Sequence, residues 1–363
     1  MIGTTAAKAG TNFMESKTVG IIGGGAWGTG LAQALARGSH KVTIWALEKE
    51  VVDSINKEHE NKKFLPGYKL DESIVCSDDI RAVASDKDFI IIASPSLYLE
   101  STIKKFADVP NIQDGTTIIA ALTKGFVPSS EGPKLILETI ENALPEHYRD
   151  CTVYVAGPSH AEEVAMGKVT GLVAASLNPK NSIKVRELLK VPGLLVYSSF
   201  DVIGVQICAA AKNVVAVVYG AMDAISETSD IIGDNSESLL MAAGLNEIQT
   251  LGFAMGATHA ETFTSISGVG DLDVTCKSKY GRNRRFGLDL VKTDMLSKFT
   301  DIDDLIANVG KIGYLPEGAI ACKYVHEIGL KKNINLPLTN ALYKILNKEY
   351  SVQDACNELL NIN

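Results

Sequence analysis

Residues 18–28, TVGIIGGGAWG, constrain this chain more than any other segment. The run from Thr18 to Gly23 is apolar, β-branched and ended by glycine, the signature of a short strand buried on both faces. Directly after it, Gly23-Gly24-Gly25-Ala26-Trp27-Gly28 fits G-x-G-x-x-G, a weak pattern alone but a specific one between a buried strand and a helix. Gly23 makes the tight turn, Gly25 lets the backbone approach a pyrophosphate, and Gly28 permits close helix–strand packing. The N–H groups at the helix start then face the phosphates. The competing reading is a glycine-rich turn with a purely structural purpose. Trp27, Leu31, Ala34 and Leu35 share one helix face, and Gly38 stops it. Glu48 lies 20 residues beyond Gly28, where an acidic side chain can meet a ribose 2′-hydroxyl, or simply stand in solvent. No Arg or His stands between Trp45 and Glu48 to pair with a 2′-phosphate, which favours NAD over NADP.

Further apolar runs at 41–46, 89–93, 117–122, 153–156 and 172–175 read as strands, with helical stretches such as 134–144 between them. That alternation predicts an α/β, doubly wound, mostly parallel sheet. Beyond residue 200 long helical segments dominate, at 202–222, 236–255, 316–329 and 338–348. With 363 residues the chain exceeds one compact core. We read a tail at 1–16, a dinucleotide-binding domain at 17–200 and a helical substrate and catalytic domain at 201–363.

The net charge of −8 argues against a nucleic-acid partner. The six cysteines and six histidines are scattered without CxxC or HExxH spacing, so free thiols and no metal are expected. The tail MIGTTAAKAGTNFMES has no apolar core of a signal peptide, and Val202 to Met222 carries Lys212 and Asn213 at its middle, which is costly in lipid. A buried helix, no stable membrane insertion and a cytoplasmic location are expected.

Lys212 among apolar neighbours should lose solvation and with it basicity, as a group that carries a proton near neutral pH requires. A lysine at the helix edge, snorkelling to water, would look the same. The stretch KSKYGRNRR places Lys277, Lys279, Arg282, Arg284 and Arg285 within nine positions, just after the glycine-rich SGVGDLDVTC with Asp271 and Thr275. A cluster this small matches a single phosphate rather than a duplex, unless it is a solvated basic face.

Several long motifs stand together in one order: GGGAWGTGLA at 23–32, HENKKFLPG at 59–67, SPS at 94–96, LTKGF at 122–126, AGPSHAEEVAMG at 156–167, DVIGVQICAAAKNVVAV at 201–217, GDN at 233–235, SGVGDLDVTC at 267–276, GRNRRFG at 281–287 and PEG at 316–318. In these the chain strongly resembles the NAD(P)-dependent glycerol-3-phosphate dehydrogenase family, over nearly its whole length after the tail. The resemblance implies a Rossmann-like N-terminal half, a helical C-terminal half, an active site between them and a homodimer. It implies interconversion of glycerol 3-phosphate and dihydroxyacetone phosphate, a phosphorylated triose, with NAD and with NADP as the alternative cofactor. Supply of glycerol 3-phosphate for glycerophospholipid synthesis would follow.

By position, Lys212 resembles the family's catalytic lysine, Lys124 the second lysine at the substrate, and Asp271 the group that orients Lys212 or a substrate hydroxyl. Asn213, Thr275, Arg282, Asn283, Gly157 and Ser159 match substrate positions, with Arg282 as the phosphate ligand. Gly23, Gly25, Ala26, Trp27, Gly28, Glu48, Pro95, Lys124, Arg282 and Glu317 match the cofactor side. The chain departs from the family at Gly30, read as a small weakening of its helix, and at Glu237 and Ala243, where basic residues are usual. A dehydrogenase for another hydroxy acid or sugar acid, and a non-enzymatic NAD sensor, are the two rival readings.

Overall fold

The computed structural model describes residues 15–278 and 281–360. Lys279 and residues 1–14 of the tail lie outside the described residues. Eight strands form one sheet: β1 (Thr18–Ile22), β2 (Lys41–Trp45), β3 (Val75–Ser77), β4 (Phe89–Ile92), β5 (Ile118–Ala121), β6 (Val153–Ala156), β7 (Thr170–Ala175) and β8 (Leu194–Ser199). Their order is β3-β2-β1-β4-β5-β6-β7-β8. Every neighbouring pair is parallel except β6 and β7. Alternate residues of each strand enter opposite layers. Val19, Ile21, Ile44 and Ile91 join one core, and Ile22, Trp45, Ile90 and Ile92 the other, so both faces are covered and the strands read as continuous apolar runs.

Strands β3 and β8 escaped the sequence reading for a physical reason. Both are edge strands. β3 has only three residues with Val75 exposed, and β8 exposes Leu195 and Tyr197, so neither shows a buried run. The chain order reverses between β1 and β4, which opens a crevice outside their carboxyl ends.

Three helices shape that crevice: α1 (Ala26–Arg37), α2 (Lys49–Glu58) and α3 (Ala161–Met166). Gly30 is not merely a weak helix former. A Cβ there would stand 2.7 Å from the Ala161 carbonyl oxygen, so the bare backbone lets α1 touch the start of α3. Arg37 fastens the same contact by donating to the Val164 and Ala165 carbonyls at 2.6 Å each.

After the sheet come α4 (Val202–Ser226), α5 (Asp234–Met255), α6 (Asp271–Lys277), α7 (Arg282–Lys292), α8 (Glu317–Lys332) and α9 (Pro337–Leu346). Asp201 caps α4 through Gly204 N (3.0 Å) and also accepts from Thr258 N (3.1 Å) and Thr262 Oγ1 (2.7 Å), so it ties the start of α4 to the loop after α5. Among the described residues α4 alone is long and apolar enough to cross a bilayer, and 83% of that stretch is buried inside the protein. Helices α5, α7 and α8 cover it. Val205 and Ala209 enter the sheet core, whereas Ile207, Cys208, Ala210, Ala211 and the residues from Val214 to Val217 enter the helical core, and Lys212 and Asn213 between them turn to a polar cluster.

Candidate active site

The glycine turn sits at the sheet's reversal point. Gly23 has φ +138°, and a Cβ on it would collide with the Ala93 carbonyl at 2.7 Å, while one on Gly28 would meet the Gly23 oxygen at 2.0 Å. Gly25 faces open space and caps α1 without a side-chain partner for the first N–H groups. Those donors, with the positive end of the α1 dipole, fit a pyrophosphate. Trp27 Nε1 donates to Ser159 Oγ (3.2 Å), which donates to the Gly157 carbonyl (2.9 Å). The cofactor helix and the β6–α3 turn are thereby joined.

Pro95 is exposed beyond β4, and beside it the buried Ser94 hydroxyl has no hydrogen-bond partner among the described residues. A buried polar group is normally satisfied, so this orphan also fits a dinucleotide lying in the crevice. The sequence reading passed over Ser94, although the SPS motif after an apolar strand was the available signal.

Glu48 stands at the cap of α2, past the end of β2, with Lys63 Nζ 3.6 Å from its carboxylate. With an acidic group there and neither Arg nor His before it, kcat/KM with NADH should at least equal that with NADPH. A preference for NADPH beyond about tenfold, or roughly 1.4 kcal/mol, would overturn this.

At the other end of the crevice two lysines share one carboxylate. Lys212 is 4% and Asp271 1% exposed. Lys212 Nζ donates to Asp271 Oδ1 and to Thr275 Oγ1 (2.9 Å), and Lys124 Nζ donates to Asp271 Oδ2 (3.1 Å). Asp271 and Thr275 are one turn apart on α6, so both face Lys212. The Thr275 hydroxyl donates to the Asp271 carbonyl (2.6 Å), which aims its lone pairs at the ammonium. Burial pushes Lys212 down to about 7. The Asp271 carboxylate opposes that shift and Lys124 adds to it.

The loop carrying Lys124 is held by two groups the sequence did not single out. Tyr154 Oη donates to the Thr123 carbonyl (3.0 Å), and Thr123 Oγ1 donates to the Ser94 carbonyl (2.7 Å). Burial pushes the Tyr154 phenol up, and Asp271 and Glu317 add to it.

Asn283 Nδ2 donates to Asn213 Oδ1 (2.9 Å) and Asn283 Oδ1 accepts from Gly318 N (2.9 Å), which places Glu317 at the same site. The buried Asn213 Nδ2 has no hydrogen-bond partner among the described residues and can donate to a ligand. Arg282, at the first position of α7, is exposed and has no hydrogen-bond or ion-pair partner among the described residues. The other described residues of its cluster are engaged. Lys277 pairs with Asp273 (2.7 Å), and Arg285 lies over the Tyr314 ring at 4.9 Å. Arg284, which a solvated basic face would leave in water, is instead half-buried and paired with Asp223. Glu237 accepts from Tyr219 Oη (2.5 Å) and Ala243 packs on the helical core. Among the described residues no group of three or more His, Cys, Asp or Glu could hold a metal ion.

A dinucleotide crevice at the switch point, facing a buried lysine of lowered basicity, defines a dehydrogenase that uses a nicotinamide dinucleotide. Residues 18–182 match the NAD-dependent glycerol-3-phosphate dehydrogenase N-terminus and residues 201–357 the corresponding C-terminus. The chain belongs to the NAD-dependent glycerol-3-phosphate dehydrogenase family. It is 56% identical to a glycerol-3-phosphate dehydrogenase (NAD(P)+) of Treponema denticola over 94% of this chain and 98% of that one. A Treponema pallidum protein of the same description is 47% identical over 94% and 99%. The crystal structure of a glycerol-3-phosphate dehydrogenase from Coxiella burnetii superposes with a TM-score of 0.82 at 32% identity, covering 95% of this chain and 99% of that one.

Proposed function

We propose that this chain interconverts sn-glycerol 3-phosphate and dihydroxyacetone phosphate with NAD or NADP, and so supplies glycerol 3-phosphate for glycerophospholipid synthesis. The observation that carries the reading is the Lys212–Asp271–Lys124 arrangement facing the cofactor crevice. The bound nicotinamide supplies or accepts the hydride at substrate C2. Lys212 gives a proton to the carbonyl oxygen in reduction and takes one from the hydroxyl in oxidation. Asp271 holds Lys212 in position, and Lys124 stabilises negative charge developing on that oxygen. Arg282 and the N–H groups at the start of α7 take the phosphate, with Asn213 and Asn283 orienting the triose. The residues before 201 hold the dinucleotide and those after it carry the proton-transfer group. A cytoplasmic homodimer accompanies this reading.

The test is oxidation of NADH on addition of dihydroxyacetone phosphate. A protein that binds NADH yet leaves this substrate untouched is either the sensor or a dehydrogenase for another acid. The pH profile reads Lys212 directly. Reduction requires its ammonium, so kcat/KM should fall as pH rises above about 7, whereas oxidation requires the neutral amine and should rise with pH up to about 7. Profiles flat from pH 6 to 9 in both directions would remove Lys212 from the proton step.

A further inference from the structure

Residues 61–65 form a turn fixed to the wall of the cofactor crevice. Asn61, fully buried, donates through Nδ2 to the Gly24 carbonyl and to Thr29 Oγ1, both at 2.8 Å, and its Oδ1 accepts from Phe64 N (3.1 Å). Leu65 is buried against Ala26 and Ala161. Between these anchors Lys62, Lys63 and Phe64 are exposed. Gly24 in turn lies against Ala46, just past β2, so closely that a Cβ on it would be 2.6 Å from the Ala46 methyl. The turn, the glycine loop and the end of β2 are therefore one continuous wall, and Glu48 follows directly along it.

On that wall Lys63 Nζ lies 2.6 Å from Glu50 and 3.6 Å from Glu48, and 5.3 Å from the centre of the Phe64 ring. Lys63 is the ion-pair partner of Glu48 among the described residues. Lys62 is engaged by Glu58. A carboxylate suited to a ribose 2′-hydroxyl thus has a lysine beside it, held by exposed ion pairs that are easily exchanged.

We propose that Lys63 is the residue through which this chain accepts the 2′-phosphate of NADP, in competition with Glu48, which takes the 2′-hydroxyl of NAD. This assignment rests on the dehydrogenase reading above. A phosphate monoester carries close to two negative charges at neutral pH, so Glu48 and Glu50 repel it. Lys63, on its long flexible stem, leaves Glu50 and meets it, and Glu48 turns to solvent. With NAD the same lysine stays between the two carboxylates. One cation facing two anions admits both cofactors and leaves NAD the favoured one.

The experiment is fluorescence titration of NADH and of NADPH onto the full chain without substrate. In Lys63→Gln the Kd for NADPH should rise about tenfold or more, the scale of one lost hydrogen bond to a charged group, while that for NADH changes less than about twofold. Lys63→Arg should keep NADPH binding, and Glu50→Gln, which frees Lys63, should tighten it several-fold. Equal changes for the two cofactors in Lys63→Gln, no change in either, or a wild-type chain that binds NADH but not NADPH would overturn the assignment. A wild-type chain that binds neither would overturn the dehydrogenase reading itself, a result distinct from all of these.

Discussion

Replacing Lys212 with alanine should lower kcat by roughly 10²–10⁴, the usual worth of a positioned general acid or base. The loss should fall on both directions, because the same nitrogen gives the proton in reduction and takes it in oxidation. NADH affinity should hardly change, since the glycine turn lies between β1 and α1 and Lys212 on α4. Burial complicates the variant. Removing the ammonium leaves the Asp271 carboxylate, 1% exposed, with Lys124 as its remaining cation, and an under-compensated buried charge destabilises a fold. Lys212→Met fills more of the space and serves as the second variant. In either, an intact NADH titration shows that the crevice has folded. A folded variant with near-normal kcat would exclude Lys212 from proton transfer.

Arg282→Ala should lower kcat/KM for dihydroxyacetone phosphate by roughly 10²-fold, from hydrogen bonds to a charged group worth about 1.5–3 kcal/mol each. The same variant should act on unphosphorylated dihydroxyacetone nearly as well as the parent, so the preference for the phosphorylated triose shrinks by the same factor. Arg282→Lys should also be poor, because an ammonium cannot reproduce the planar fork. Arg285 is the control, as it lies over Tyr314 at the surface. Arg284 cannot serve as one, because its pairing with Asp223 holds α7 against α4 and its loss would act through the fold. Equal losses on both substrates would place the phosphate elsewhere, nearest Lys124 or the start of α5.

Much of this was legible in the residues because the physics is local. The six strands read from apolar runs are central or covered on both faces, and α4 stands out as a long, nearly all-apolar run. Asp271 and Thr275 lie in a stretch that reads only as glycine-rich, and its folding as α6 is what puts the two on one face. What was not legible depends on closure in space. The Ser94 hydroxyl and Asn213 Nδ2 become orphans only when the surrounding chain excludes water. Tyr154 supports the Lys124 loop from 31 residues away through the Thr123 carbonyl. Arg284 could not be told from its basic neighbours because its partner Asp223 lies 61 residues earlier.

Helix α4 belongs to both cores, with Val205 and Ala209 under the sheet and Ile207, Cys208, Ala210 and most residues beyond inside the helical bundle. A swing of the bundle about residue 201 would lift those two side chains into water and pull Asp201 from the donors at Thr258 and Thr262. The helix therefore acts as a splint across the joint. Loosening α4 should weaken both cores together, and thermal unfolding followed by one probe in each core should give coincident transitions.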